Sequence, residues 1–156
     1  IYVGVYTMIN RIALETDKLF TDITDQVSEF AEEWGKTGIV NVFSPHTTLA
    51  VWLTEDEILH HADVRFHLDS TVPMIKDPQG DSRNVKYLHD IISLRNDVPA
   101  DERINGHSHI RYLNFNSSET VPVEDGKLVL GKWKKIFAVE LDPVRKREMV
   151  CTFIPC

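Results

Sequence analysis

Apolar residues along this chain fall mostly into short β-branched and aromatic runs, and in two places they shift to helical spacing. Tyr2 to Ile9 is such a run and residues 11–14 continue it or pair with it, so the chain is expected to open on strand. Thr24 then stands as an N-cap before Val27, Phe30, Ala31 and Trp34, whose i, i+3, i+4, i+7 spacing puts one apolar stripe on one helical face. Asp25 suits the positive end of the helix dipole, and Gly35 and Gly38 allow the stop. Ile39 to Phe43 and Leu49 to Leu53 predict two more strands. Between them lies a polar insert, Ser44-Pro45-His46-Thr47-Thr48, in which Pro45 interrupts any ladder. Thr54-Glu55-Asp56-Glu57 has the form of a capping box and predicts a second helix through about Leu68, with Ile58, Ala62 and Phe66 on one face.

Residues 71–106 carry Pro73, Pro78, Gly80, Pro99 and Gly106 among many charges, which predicts a long irregular connection around a short helical piece near Val85 to Leu94. Strand material returns after His109 as Ile110 to Phe115, Thr120 to Val123, Lys127 to Leu130, Ile136 to Leu141 and Met149 to Ile154. Asp125-Gly126 is a hairpin turn between the second and third of these. With no repeat and no linker, residues 1–156 are expected to form a single α+β domain, a mainly antiparallel sheet of about eight strands with two or three helices.

A hydrophobic fraction of 42% and a charged fraction of 26% exclude a disordered or low-complexity chain. No apolar run approaches the roughly 18 residues of a membrane span, and Ile1 to Ile9 lacks the basic start and apolar centre of a signal peptide, so a cytoplasmic location is expected. Cys151 and Cys156 fit reduced thiols there. The net charge of −7 argues against nucleic acid or an anionic membrane as partner, because both demand a positive face. Charge is uneven, however: residues 15–33 hold seven acids against Lys18, while 127–148 hold seven Lys or Arg against three acids. That basic segment suits a small phosphorylated substrate, and it equally suits a solvated strand face.

The seven histidines are grouped. On an extended chain His107 and His109 lie on the same side, and a third imidazole from His46 or His89 would leave one position open, as in catalytic zinc sites. Hydrogen-bonded core or surface histidines are the competing explanation. His60 and His61 point to different helix faces and are expected to be solvated. Glu55, just past the Leu49 to Leu53 strand, is placed for general acid/base work or for orienting a ligand histidine, and it also fits an ordinary first helical turn. Thr47 and Thr48 offer hydroxyls to phosphate oxygens or to a turn. A glycine-rich phosphate loop, a nucleophile elbow and an H-E-x-x-H motif are all missing, which disfavours nucleotide hydrolysis and serine-hydrolase chemistry.

Four segments in combination resemble the YjbQ family, also called uncharacterised protein family 0047 and linked to a secondary thiamine-phosphate synthase activity. They are His46-Thr47-Thr48-Leu49-Ala50 with Glu55 after it, Tyr87-Leu88-His89-Asp90, Asn105-Gly106-His107-Ser108-His109-Ile110, and Thr120-Val121-Pro122-Val123 through Gly126 to Trp133. The chain departs from the usual pattern at Gly131-Lys132-Trp133-Lys134 and at Asp142-Pro143-Val144-Arg145.

The resemblance implies a compact α+β domain forming a homotrimer, with the matched polar residues in a cleft near a subunit boundary. It implies a divalent metal ion, zinc being one candidate, at His46, His89 and His109. His107 joins as a further ligand or catalytic candidate, and Glu55 and Asp63 as acids. The implied reaction joins a pyrimidine pyrophosphate to a thiazole phosphate with loss of pyrophosphate. Arg145 and Arg147, alternating onto one strand face, would hold the leaving group, with Thr47, Thr48 and Ser108 as neutral donors. A metal-dependent hydrolase and a non-catalytic trimeric binder of a small phosphorylated ligand are the alternatives. On either reading the expected partners are a phosphorylated small molecule and further copies of the chain, with no nucleic acid and no membrane.

Overall fold

Alternation along the strands decides how this chain layers. In the computed structural model, which describes residues 8–74, 86–99 and 101–156, the strands are β1 (Met8–Thr16), β2 (Phe20–Asp22), β3 (Gly38–Phe43), β4 (Leu49–Glu55), β5 (Ser118–Glu124), β6 (Lys127–Leu128), β7 (Lys134–Glu140) and β8 (Arg145–Pro155). Most of the run from Tyr2 lies outside the described residues. Among the described residues all pairings are antiparallel, in a five-stranded sheet of order β1-β8-β3-β5-β6 and a three-stranded sheet of order β2-β7-β4. The fold is therefore α+β with eight antiparallel strands, as expected, divided between two sheets.

Val40, Val42, Val121, Met149, Cys151 and Phe153 from the first sheet meet Leu49, Val51, Ile136 and Ala138 from the second in one core. Helix α1 (Thr24–Trp34) adds Val27, Phe30 and Ala31 to it. The opposite face of the small sheet buries Phe20, Ala50, Phe137 and Val139 with Leu68 of α2 (Ile58–Thr71), which makes α2 an outer layer. The hairpin at Asp125 and Gly126 has positive φ at both residues, 47° and 80°, as a type I′ turn requires.

Several local expectations change. Helix α1 begins at Thr24 rather than after it, and Asp22 Oδ1 accepts the Thr24 amide at 2.8 Å. Thr54 and Glu55 stay in β4, and Glu57 caps α2 by accepting the Leu59 and His60 amides, each at 2.7 Å. The face carrying Ile58, Ala62 and Phe66 points outward, with Ile58 and Phe66 80% and 75% exposed. His60 and His61 are half-buried instead, packed on Trp52 and on Phe20 and Phe137. The segment expected to be strand from Ile110 to Phe115 is helical, as α3 (Gly106–Arg111) followed by a 3₁₀ turn, Tyr112–Asn114. The short helical piece near Leu94 is a 3₁₀ helix, Leu88–Leu94. Among the described residues no helix is long and apolar enough to cross a membrane.

Candidate functional site

The polar insert before β4, the 3₁₀ helix, α3 and the start of β8 converge on one cleft of about 280 Å³. It is lined by Thr47 and Thr48, His89 and Ile92, Glu102 and Asn105, His109, and Arg145 and Arg147. Six of the residues singled out from the sequence thus come together although they are scattered over 100 positions: Thr47, Thr48, His89, His109, Arg145 and Arg147.

Each arginine is braced from behind by a carboxylate. Arg147 donates from Nε to Glu140 Oε2 at 2.7 Å and from Nη2 to Glu140 Oε1 at 2.9 Å, a two-pronged pair that ties the two sheets together. Its Nη2 also donates to Thr48 Oγ1 at 2.7 Å. Glu140 is fully buried and further accepts the Thr16 hydroxyl at 2.6 Å and the Asp142 amide at 2.8 Å. Burial opposes its charge, but these hydrogen bonds and the Arg147 guanidinium outweigh it and hold the carboxyl below its ordinary value. Asp142 stands in the same balance: burial opposes ionisation, while Asn105 Nδ2 at 3.0 Å and Arg145 Nη2 at 2.7 Å favour it and win. A guanidinium has five N–H donors. Hydrogen bonds among the described residues engage Nε and Nη2 of both arginines and leave both Nη1 groups for a ligand.

The histidine side is built by a close approach. Gly106 donates its amide to Asp90 Oδ1 at 2.7 Å, and a Cβ there would stand 2.6 Å from Tyr87 Cβ. Only glycine lets α3 start this close to the 3₁₀ helix. The His89 and His109 rings consequently lie 4.5 Å apart at 31°. Burial, and then the neighbouring His89, lower the His109 pKa against the pull of Asp142 and Glu102. His89 Nδ1 and Asn105 Oδ1 are buried with no hydrogen-bond partner among the described residues.

Other expected site residues are placed elsewhere. His46 is committed, its Nε2 accepting the Glu148 amide at 3.2 Å; burial and then Arg147 lower its pKa. Because residues 107–109 are helical, His107 and His109 do not share a side: His107 is buried against Ser108 and Tyr87. Ser108 is fully buried and donates to the Leu141 carbonyl at 2.5 Å, so it is a strut rather than a donor to a phosphate. Glu55 is exposed at the end of β4. Asp63 lines a separate, largely apolar cavity of about 320 Å³ with Trp52, His60, Val64, His67 and Phe115. No group of three His, Cys, Asp or Glu side chains among the described residues is arranged to hold a metal ion. Among the described residues His46, His89 and His109 are not grouped as a three-ligand set, and the guanidinium and hydroxyl groups of Arg145, Arg147, Thr47 and Thr48 suit an anion.

Glu102, Asn105, Glu140 and Asp142 are not among the site candidates the sequence offers, although Asn105 and Asp142 stand in its motif segments. Glu140 had a signal: an acid inside the apolar run from Ile136 to Leu141 needs a buried cation, and Arg147 follows seven residues later.

A family model described as UPF0047 protein YjbQ-like matches residues 10–156. A UPF0047 protein of Methanothermobacter thermautotrophicus is 34% identical over 152 residues, 96% of this chain and 92% of that protein. One from Archaeoglobus fulgidus is 35% identical over 129 residues, covering 83% and 86%. Among solved structures, a YbjQ-like protein of unknown function from Sulfolobus solfataricus superposes with a TM-score of 0.78 at 26% identity, covering 98% of this chain and 100% of that one. An uncharacterised YjbQ/UPF0047 protein from Clostridium acetobutylicum gives 0.73 at 28% identity, covering 93% and 99%.

Proposed function

The chain belongs to the UPF0047 YjbQ-like family, and within it we propose that the Arg145/Arg147 cleft holds the phosphate end of a small substrate in a reaction of the thiamine-phosphate synthase type. The observation that carries this reading is the pair of guanidinium groups fixed by buried carboxylates beside two threonines, with an Nη1 of each arginine left for a ligand. In the proposed condensation the C–O bond of the pyrimidinylmethyl pyrophosphate breaks and its electron pair leaves with pyrophosphate. The thiazole nitrogen lone pair then forms the new C–N bond to the resulting cation. No proton need be transferred, so the main demand is for donors aimed at the departing oxygens, and fixed N–H groups supply these without reorganising. This reaction is preferred over others that release a phosphate because the His46 to Ala50, Tyr87 to Asp90 and Asn105 to Ile110 segments resemble a family linked to it. The proposal includes a homotrimer, to which the exposed Ile58, Leu59 and Phe66 of α2 offer apolar surface.

Titration calorimetry with pyrophosphate and a turnover assay with both substrates, with and without added divalent metal, test the proposal. Arg145→Ala should weaken pyrophosphate binding about tenfold or more, the range of a lost charge-assisted hydrogen bond. Tight pyrophosphate binding without product would favour the non-catalytic binder. Absence of both binding and product would refute the anion site.

A further inference from the structure

At about 280 Å³ the arginine cleft sits at the lower limit of about 300 Å³ usual for a ligand pocket, and it is lined almost wholly by polar groups. A second cavity of about 270 Å³ adjoins it, lined by Ile92, Ser93, Arg95, Val98, Pro99 and Glu102. Ile92 and Glu102 belong to both linings and so form the wall the two cavities share. The second cavity has a different character: Ile92, Val98 and Pro99 offer apolar surface, which favours carbon atoms over phosphate oxygens.

The charges of the two cavities sort by partner. Arg147 is taken by Glu140, Arg145 by Asp142, and Arg95 by Asp97, to which it donates from Nε at 2.9 Å and Nη2 at 2.6 Å. Glu102 is the lining residue left over. Its Oε1 accepts only the adjacent Arg103 amide, at 3.3 Å, and among the described residues it has no ion pair. Its charge is felt by His109 across the cleft. An exposed glutamate on an open surface would be merely solvated. Glu102 is itself exposed, but its carboxylate stands on the boundary between a donor-rich anion site and a more apolar recess, within reach of a molecule that spans both.

Resting on the anion reading above, we infer that the substrate of this cleft is an amphipathic phosphate ester whose apolar body lies against Ile92, Val98 and Pro99 and which carries an amino or other N–H donor group that Glu102 accepts. Glu102 is thereby a specificity-determining residue: it selects for a donor group beyond the phosphate.

Calorimetry with a matched series of probes, inorganic phosphate, butyl phosphate and 4-aminobutyl phosphate, separates the two claims. With the parent protein, butyl phosphate should bind about fivefold tighter than inorganic phosphate, and 4-aminobutyl phosphate about fivefold tighter again. In Glu102→Gln, at an exposed position where folding is not at risk, the ratio between aminobutyl and butyl phosphate should fall to near one. Val98→Ser should reduce the step between inorganic and butyl phosphate. If inorganic phosphate binds but the amine adds nothing, or its advantage survives in Glu102→Gln, the inference is overturned while the anion site stands. If neither these probes nor pyrophosphate bind, the anion reading itself fails and takes the inference with it.

Discussion

Glu140→Gln isolates the pair that holds the cleft together. The side chain of Glu140 is fully buried and that of Arg147 is 7% exposed. The carboxylate accepts four donors, from Thr16, the Asp142 amide and two nitrogens of Arg147. Glutamine keeps the shape but offers one acceptor oxygen, and turns an NH₂ toward donors on the other side. Removing one member of a buried pair costs about 3–5 kcal/mol, and because Arg147 retains Thr48 and borders a cleft the lower end applies. In a chain of this size about 3 kcal/mol corresponds to a fall of roughly 6–12 °C in Tm, readable by calorimetry at pH 7.5. The sign of the pH dependence follows from the lowered pKa. The charge of Glu140 adds stability above its ordinary value of 4.5, and that stability is lost as pH falls through the folded value. The gap between parent and variant should therefore narrow in acid. Glu140→Leu with Arg147→Met should recover much of the loss, since neither charge is then stranded, yet should lose pyrophosphate binding. A variant melting within about 2 °C of the parent, or an equal gap at pH 7.5 and in acid, would refute the reasoning.

Legibility in the sequence tracked how local each determinant is. Helix α1 was readable because Val27, Phe30, Ala31 and Trp34 carry the spacing themselves, and three of the four are buried. The face of α2 is hidden from a sequence reading because the first turn of its inward side, ahead of Val64 and Leu68, is made by His60 and His61, whose rings pack on Trp52, Phe20 and Phe137, while the apolar Ile58 and Phe66 face out. Nothing local says that an imidazole will present its flat face to a sheet. The H-x-H segment reads as extended because β-branched and aromatic residues follow it. The helix there depends on Asp90, 16 residues upstream, accepting the Gly106 amide. Arg145 and Arg147 were legible as a pair by strand alternation, but their buried acids lie across a turn and on the other sheet, a juxtaposition that only the fold creates.

Three further predictions concern the histidines and the close approach at Gly106. His46 and His109 both have pKa values below 6.5, so between that value and their folded values the unfolded chain binds more protons, and stability should decline as pH drops below about 6.5. Bound pyrophosphate favours the imidazolium form of His109, the one of these two that lines the cleft, so its stabilising effect in thermal melts should be larger at pH 5.5 than at pH 7.5, and an equal effect would remove His109 from the anion site. Gly106→Ala puts a methyl carbon 2.6 Å from Tyr87 Cβ and 2.8 Å from Asp90 Oδ1, neither the free end of a long side chain, so the 3₁₀ helix and α3 must separate. Overpacking of this kind costs about 1–3 kcal/mol, and the separation acts where the cleft draws His89 and His109 together. Pyrophosphate affinity should therefore fall along with Tm. Gly131→Ala is the control, because a Cβ there meets nothing within 4 Å. If the two alanine variants match in both melting and affinity, the close approach at Gly106 does not shape the site.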